Sequence, residues 1–176
     1  DRPAGAEVLP VEPPTEGEIP VLATECGVAL AQAPRVWGEL GITGANVVVA
    51  MIDTGTCIDH PDLRNQIWTN PGEIAGNNID DDGNGFVDDI HGWSFENNGS
   101  SPDINDYNGH GTHTAGTVGG DGAGGTVTGM APNVQIMTTK FWNSFSGELS
   151  VWLCEQYAFE NGANVTSASL GWPHST

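Results

Sequence analysis

Residues 108–120 combine two histidines with a run of glycine and other small residues. Glycines flank His110 on both sides, and Ala115, Gly116 and Gly119 follow it. A helix that begins near His110 would therefore have a slim face, able to pack closely against another element. A histidine at the start of such a helix lies at the rim of a fold, where one ring nitrogen can reach solvent or substrate. The alternative is a glycine-rich turn whose histidines have no chemical role.

A carboxylate that follows an apolar run is the second candidate. Residues 46–52 form a run rich in β-branched side chains, which is typical of a strand buried on both faces. The run ends in Asp53-Thr54-Gly55. A carboxylate at the carboxyl end of a buried strand lies where open α/β sheets place their functional groups. An aspartate that only caps a turn would explain these three residues about equally well.

An imidazole and a carboxylate can together move a proton near neutral pH. The neutral ring takes a proton from a hydroxyl group only if it is held in the right tautomer. A buried carboxylate holds it by accepting a hydrogen bond from the other ring nitrogen. Asp53 and His110 are candidates for these roles, Asp53 as the orienting carboxylate and His110 as the general base and later the general acid. His113, one helical turn after His110, has no predicted role and is expected to be buried.

The acidic segment 80–89 is a candidate metal loop. Its pattern Asp-x-Asp-x-Asn-Gly places oxygen-bearing side chains at positions 1, 3 and 5 of a calcium loop and glycine at position 6. The predicted Ca²⁺ ligands are Asp80, Asp82, Asn84, the carbonyl oxygen of Phe86, Asp88 and Asp89. Position 12 is His91, so the final glutamate of an EF-hand is absent. A solvated acidic turn is the alternative, but five aspartates in ten residues repel one another unless a cation neutralises them.

Charge and size limit the classes of partner. The 176 residues suffice for one domain with a core. The 23 acidic and 4 basic residues give a formal charge of -19. Because such a surface repels phosphate backbones and anionic lipids, we expect binding to neither nucleic acid nor membrane. No apolar run approaches the length of a membrane span.

Composition and periodicity predict the elements that must position these groups. Residues 1–26 are rich in proline and glutamate and should form an arm or linker. A short helix is predicted over residues 27–40, with Val36, Trp37 and Leu40 as its apolar contacts. Residues 65–107 contain few aliphatic side chains and should be a long excursion without a core of its own.

The second half of the chain continues the alternation of strand and helix. A strand is predicted over residues 133–139, a helix over 147–161 that Gly162 closes, and a strand over 163–170. The helix should be well buried through its apolar side chains, which are Leu149, Val151, Trp152, Leu153, Cys154, Tyr157 and Ala158. The order strand, helix, strand, helix, strand predicts an α/β fold with a parallel sheet.

Five short motifs follow one another in a fixed order, over residues 48–55, 60–63, 110–116, 129–132 and 169–171. In this order they resemble the N-terminal half of the catalytic domain of subtilisin-like serine proteases, the subtilases. The resemblance implies a three-layer fold over residues 27–176, in which helices flank a central, mostly parallel sheet. It also implies that residues 65–107 are an insertion that carries the calcium loop.

The resemblance implies a serine endopeptidase with an Asp-His-Ser triad, in which Asp53 and His110 supply the first two members. The family's serine follows in a Gly-Thr-Ser motif farther downstream, and no Gly-Thr-Ser occurs in this chain. We therefore expect the serine on a C-terminal remainder of the domain, in a separate chain after cleavage or beyond a truncation. Without it, this chain should be inactive.

Further expectations depend on the same resemblance. Ser169, Leu170 and Gly171 resemble the segment that pairs with the substrate backbone, and residues 142–147 the opposite rim of that cleft. The implied partners are a polypeptide substrate and a propeptide, and the implied cofactor is Ca²⁺. Asp62 and the loop 121–128 resemble a second calcium position.

The compartment is predicted from cysteines and glycosylation sequons. Cys26, Cys57 and Cys154 permit one disulfide and leave one thiol over. Residues 98–100 and 164–166 match the sequon for N-glycosylation. These features favour a secreted, extracellular protein.

Two other functions compete with the serine protease. Asp53-Thr54-Gly55 also matches the motif of aspartic proteases, but that mechanism needs a second such motif for its carboxylate dyad, and none occurs. The aspartic protease fold is also all-β. The other alternative is an inactive, subtilase-like module that binds calcium and peptide.

Overall fold

The computed structural model describes residues 24–96, 100–141 and 147–171. Most of the predicted N-terminal arm and most of the predicted cleft rim at 142–147 lie outside these ranges. The helices and strands of the described residues, in chain order, are α1 (Cys26–Leu30), α2 (Ala33–Leu40), β1 (Val48–Asp53), β2 (Gly92–Ser94), α3 (His110–Gly119), β3 (Gln135–Lys140), α4 (Gly147–Glu160) and β4 (Val165–Ala168).

A parallel sheet of four strands forms the centre of the fold, in the order β2-β3-β1-β4. Strand β1 lies between β3 and β4, so both of its edges are hydrogen-bonded. In this register Asp53 is opposite Lys140, and Ile52 is opposite Ala168. Because the strands are parallel, their carboxyl ends meet at one edge of the sheet, which places Asp53 there.

The two faces of the sheet carry separate hydrophobic clusters. Met51 of β1 is in one cluster with Ala115 of α3, whereas Ile52 is in the other with Tyr157 of α4. Neighbouring side chains of a strand point to opposite faces, so α3 and α4 cover opposite sides of the sheet. The predicted three-layer α/β architecture is therefore confirmed.

The helix predicted over residues 27–40 is two helices. Gln32 has a φ of 61°, a left-handed conformation that interrupts the helical path between α1 and α2. The predicted contacts are also wrong in part, because Val36 and Leu40 are exposed. Val28 and Ala33 are the buried residues of this pair of helices.

Helix α4 has nearly the predicted bounds but not the predicted burial. Its buried residues include Cys154, Tyr157 and Ala158. Trp152 and Leu149, predicted to be buried, are 69% and 61% exposed. The helix buries one narrow stripe against the sheet, and its apolar outer side is uncovered in the described residues.

The excursion 65–107 packs aromatic side chains into the core that it shares with the sheet and α4, a contribution that was not predicted. Strand β2 lies within it and pairs with β3. Its aromatic side chains supply the burial that the missing aliphatic residues would give: Trp68, Trp93 and Phe95 are buried in the cluster on the α4 face. This contribution was not predicted because the excursion is poor in aliphatic residues and its burial comes from aromatic ones.

All three cysteines are free thiols, so the disulfide that the sequence permits is not formed. Cys26 and Cys57 are exposed and Cys154 is buried. Burial raises the pKa of the Cys154 thiol to about 12, so it is protonated near neutral pH. None of the helices described in the three ranges is long and apolar enough to cross a membrane.

Candidate active site

Asp53 ends strand β1 and is 4% exposed. Its Oδ1 accepts hydrogen bonds from Nδ1 of His110 and from the backbone N–H of Thr54, both at 2.7 Å. Its Oδ2 accepts one from the hydroxyl of Thr114 at 3.0 Å. A buried carboxylate needs such donors, and these three hold it in one orientation.

His110 is the first residue of α3, and its side chain is about half exposed (49%). The helix begins where the sequence predicts, after Gly109 with a φ of 95°. Because an ionised carboxylate only accepts hydrogen bonds, the proton of the neutral ring is on Nδ1. Nε2 then keeps its lone pair free for a proton from a hydroxyl group. The structure thus brings together the two residues predicted as the orienting carboxylate and the general base.

The slim face of α3 makes this contact possible. Gly111, Ala115 and Gly119 are its buried residues, as the small side chains predict. A Cβ atom on Gly111 would overlap the carbonyl oxygen of Gly55 and would lie 3.2 Å from the Cβ of Asp53. A glycine at position 111 therefore lets the helix approach the turn after β1.

The polar residues that surround the pair were not predicted from the sequence. Thr114 follows His110 by four residues, a spacing that places both side chains on one face of a helix. Asp106 accepts hydrogen bonds from the hydroxyl groups of Thr54 and Thr112. An aspartate shortly before a helix start is a known capping signal and could have been noticed.

The predicted substrate segment directly follows β4. Ser169, Leu170 and Gly171 are exposed, and they lie at the sheet edge where β1 also ends. Strand β4 is an edge strand among the described residues, since only β1 pairs with it. The segment is therefore open to an added strand on the side away from β1.

The acidic loop does not gather all of its predicted ligands around one point. Asp80 accepts hydrogen bonds from the backbone N–H groups of Gly83, Asn84 and Gly85. Both oxygens of Asp88 are taken by backbone N–H groups of residues 76–78. These two carboxylates shape the loop. Phe86 packs its ring against Trp93, Phe95 and Tyr157.

Asp82 and Asp89 instead lie close to Glu73, which was not predicted as a ligand from the sequence. Carboxylate oxygens of Glu73, Asp82 and Asp89 all lie within 4.8 Å of one another. Asp89 is fully buried, and it accepts hydrogen bonds from Asn84 and from the hydroxyl of Tyr157. Burial raises the pKa of Asp89 and the charge of Asp82 adds to the rise, while these hydrogen bonds oppose it.

Asp62 and the loop 121–128 lie together, as expected for the second calcium position. The buried carboxylate of Asp62 accepts hydrogen bonds from the backbone N–H of Gly124 and the hydroxyl of Thr126. The hydrogen bond from Thr126 is the main cause that lowers the pKa of Asp62. These hydrogen bonds already stabilise the negative charge of Asp62, so this carboxylate depends less on a bound cation.

His113, expected to be buried, is exposed. It lies next to an open groove of about 390 Å³ on the outer side of α3, which is also lined by His60 and Asp62. The small residues of α3 face the sheet and His113 does not, because it is two positions from both Gly111 and Ala115, which places its side chain about 200° around the helix from them.

Comparison with known proteins identifies the family. The model of the subtilase family matches residues 44–175. The major intracellular serine protease of Bacillus subtilis (strain 168) is 35% identical over 150 residues, covering 84% of this chain and 40% of that protein. Subtilisin-like protease 1 of Plasmodium vivax is 34% identical over 130 residues, covering 70% and 20%. The chain thus spans less than half the length of these relatives.

Solved structures share the fold. The epidermin leader peptide processing serine protease of Staphylococcus aureus superposes with a TM-score of 0.50 at 26% identity, covering 73% of this chain and 27% of that one. Fervidolysin of Fervidobacterium pennivorans gives 0.51 at 24% identity, covering 75% and 18%, and supports the fold alone. The Asp-Thr-Gly motif therefore does not indicate an aspartic protease. Because the family model matches most of this chain, and a buried aspartate is hydrogen-bonded to a histidine at the start of a helix, this chain belongs to the subtilase family.

Proposed function

We propose that this chain is the part of a serine endopeptidase that supplies the aspartate and the histidine of an Asp-His-Ser triad. The 2.7 Å hydrogen bond between Oδ1 of Asp53 and Nδ1 of His110 is the observation that carries the proposal. It lies at the carboxyl edge of the sheet, and the ring is half exposed, so a hydroxyl group can reach Nε2. Subtilase membership supports the assignment.

In this mechanism Nε2 of His110 takes the proton of the serine hydroxyl while the oxygen attacks the scissile carbonyl carbon. The imidazolium that forms then gives this proton to the leaving amine. Asp53 stays ionised, holds the ring and stabilises its positive charge. A water molecule repeats the sequence to release the acyl group. Thr114 and the N–H of Thr54 keep Asp53 aimed at the ring throughout.

The serine is proposed to lie on a C-terminal remainder of the catalytic domain, because the chain spans 40% of one relative and contains no Gly-Thr-Ser motif. Without that remainder the chain is proposed to be inactive. The apolar side of α4, which the described residues leave uncovered, is a surface on which such a remainder could pack. Intact mass spectrometry under native and denaturing conditions distinguishes a continuous remainder from a separate polypeptide.

The proposed substrate is an extended polypeptide. Ser169, Leu170 and Gly171 would pair with its backbone by strand addition, in which main-chain hydrogen bonds supply affinity. Their exposure beside β4, at the same edge as Asp53, supports this role. A propeptide could use the same segment. Secretion remains a prediction, and one relative is called intracellular by name.

We also propose that the acidic loop binds Ca²⁺. Calcium takes oxygen ligands at about 2.3–2.6 Å, so two oxygens on opposite sides of the ion are about 5 Å apart. Glu73, Asp82 and Asp89, whose oxygens lie within 4.8 Å of one another, fit this spacing. Burial disfavours the charged form of Asp89 and raises its pKa, and a cation bound beside it would stabilise that charge. A bound ion would hold the loop 73–89 on the core.

A fluorophosphonate probe, which labels an activated serine, tests the proposed activity in the complete protein. We expect labelling on the C-terminal remainder and none after His110→Ala. Inhibition by a pepstatin-type compound without labelling would instead indicate an aspartic mechanism. Peptide binding with neither response would indicate an inactive binding module.

A further inference from the structure

The carboxylate of Asp106 accepts hydrogen bonds from five donors. Its Oδ1 accepts from the hydroxyl of Thr54 and from the backbone N–H groups of Asn108 and Gly109, at 2.8–2.9 Å. Its Oδ2 accepts from the backbone N–H and the hydroxyl of Thr112, at 2.8 and 2.7 Å. These five donors come from the turn after β1, from the loop before α3 and from the first turn of α3.

The network continues beyond Asp106 in two directions. The hydroxyl of Thr54 also accepts a hydrogen bond from the N–H of Gly111, at 2.9 Å. The hydroxyl of Thr112 accepts one from the N–H of Cys57, at 3.0 Å. Each threonine thus bridges Asp106 to the opposite element, so the turn after β1 and the start of α3 are tied together twice.

This network also caps α3. Gly109 at the N-cap has no side chain to offer, and the free N–H groups of the first turn need other acceptors. Those of Gly111 and Thr112 bond to Thr54 and Asp106. A negative charge at this end of a helix is favourable as well. Burial alone would raise the pKa of Asp106, but the hydrogen bonds from Thr112, Gly109 and Asn108 outweigh it and lower the pKa to about 2.

We propose that Asp106 is a positioning residue for the catalytic pair, which it aligns without touching either member. It bonds to Thr54, the neighbour of Asp53, and to Gly109, the neighbour of His110. A shift of either element would lengthen the bond between the carboxylate and the ring, and displacements near 1 Å can cost about 100-fold in rate. This inference rests on the proposed serine protease function.

The test compares Asp106→Asn with Asp103→Asn in the complete protein, with turnover counted per fluorophosphonate-titrated site. Asparagine keeps the shape but loses the charge and one acceptor. We expect kcat to fall about 10–100-fold, with KM changed less than about twofold, because alignment matters in the transition state. Asp103 is the matched control, since it accepts local hydrogen bonds in the same loop and contacts neither threonine. Asp103→Asn should keep the kcat of the wild type.

A spectroscopic readout separates alignment from simple stability. The Nδ1 proton of His110, bonded to Asp53, should give a resolved, strongly deshielded NMR resonance in the wild type. In Asp106→Asn we expect this resonance to broaden or vanish at temperatures where the protein is fully folded. An unchanged resonance together with an unchanged kcat per site would overturn the inference.

A second pair of variants tests the positioning role of Asp106 if Asp106→Asn does not fold. Thr54→Val removes the bridging hydroxyl and should lower kcat, whereas Thr54→Ser restores the hydroxyl and should recover most of it. Equal kcat in these two variants would overturn the inference. If the wild type itself neither turns over peptide nor reacts with the probe, the proposed function fails instead. If the wild type is active and the His110→Ala variant is inactive, the proposed function stands, and a negative result in the Asp106 or Thr54 variants counts against the role of Asp106 alone.

Discussion

The side chains around Asp53 decide which nitrogen of His110 carries the proton. Both oxygens of the carboxylate are engaged, Oδ1 by the ring and by a backbone N–H, and Oδ2 by Thr114. The carboxylate therefore cannot rotate away without losing a donor. This leaves Nε2 free to accept a proton from a hydroxyl in the proposed mechanism.

Asp106 should make the free energy of unfolding decrease as the pH falls into the acid range. Its pKa is about 2 in the folded chain, against about 4 for an unfolded carboxyl. A carboxyl whose folded pKa is lowered contributes stability that is present above its unfolded pKa and lost as pH falls through its folded pKa. Urea unfolding at about pH 5 and about pH 2.5 should show a smaller loss in Asp106→Asn than in the wild type. Equal losses in the two proteins would contradict this assignment.

Among the secondary-structure elements, α3 and the turn after β1 are the closest neighbours at the site. We expect Gly111→Ala to destabilise the protein by about 1–3 kcal/mol and to lower activity, because the added methyl group overlaps the Gly55 carbonyl oxygen. Gly116→Ala is the control in the same helix, since nothing in the described part of the chain, apart from its neighbours and the backbone of its own helix, lies within 4 Å of its Cβ position. It should raise stability by about 0.5–1 kcal/mol through helix propensity. Chemical denaturation measures both changes, and similar effects at the two positions would count against the close approach.

Calcium should stabilise the packing of the acidic loop against the core. At a free concentration about 100 times Kd, one bound ion stabilises the folded state by about 2.7 kcal/mol. We therefore expect a chelator to lower the Tm of the wild type, and Asp82→Asn to reduce this calcium-dependent difference. Asp59→Asn, which changes an exposed carboxylate outside the loop, should leave the difference intact. A Tm that does not respond to chelation in the wild type would remove the calcium proposal.

Elements whose residues follow a strong local pattern were predicted well. Strand β1, helix α3 and the bounds of α4 follow from β-branched runs, a glycine-flanked histidine and a closing glycine. The burial of α4 was not predicted correctly. An apolar residue such as Trp152 does not indicate by its type whether another element covers it, and Trp152 is exposed. Strand β2 was missed because three residues are too few to show a period, and its burial comes from tertiary packing.

The same limit applies to the sites. Asp53 and His110 could be named from the sequence because each stands at a recognisable element boundary and belongs to the series of motifs that resembles the subtilases. Glu73 could not, because it reaches Asp82 and Asp89 only after the loop has closed. Thr54 and Thr112 form their network through hydroxyl groups that are common at turns and helix starts, so their types alone carry no signal.

The molecule as a whole is strongly acidic, with a formal charge of -19. A field of this sign concentrates cations near the surface and repels anionic macromolecules. It therefore suits a protein that binds Ca²⁺ and gives no support to nucleic-acid binding. The field acts over a distance of about 8 Å at physiological salt, so it affects encounter rates more than the geometry of the pair.

The proposal that Asp53 and His110 do the proton transfer is tested most directly by kcat/KM for peptide hydrolysis in the complete protein. His110→Ala should lower it by several powers of ten, as the loss of a triad member does. His113→Ala is the matched control, because this exposed histidine lies one turn along the same helix and makes no side-chain contact with Asp53 in the described residues. It should keep a kcat/KM within about twofold of the wild type. Wild-type hydrolysis in His110→Ala would contradict the account.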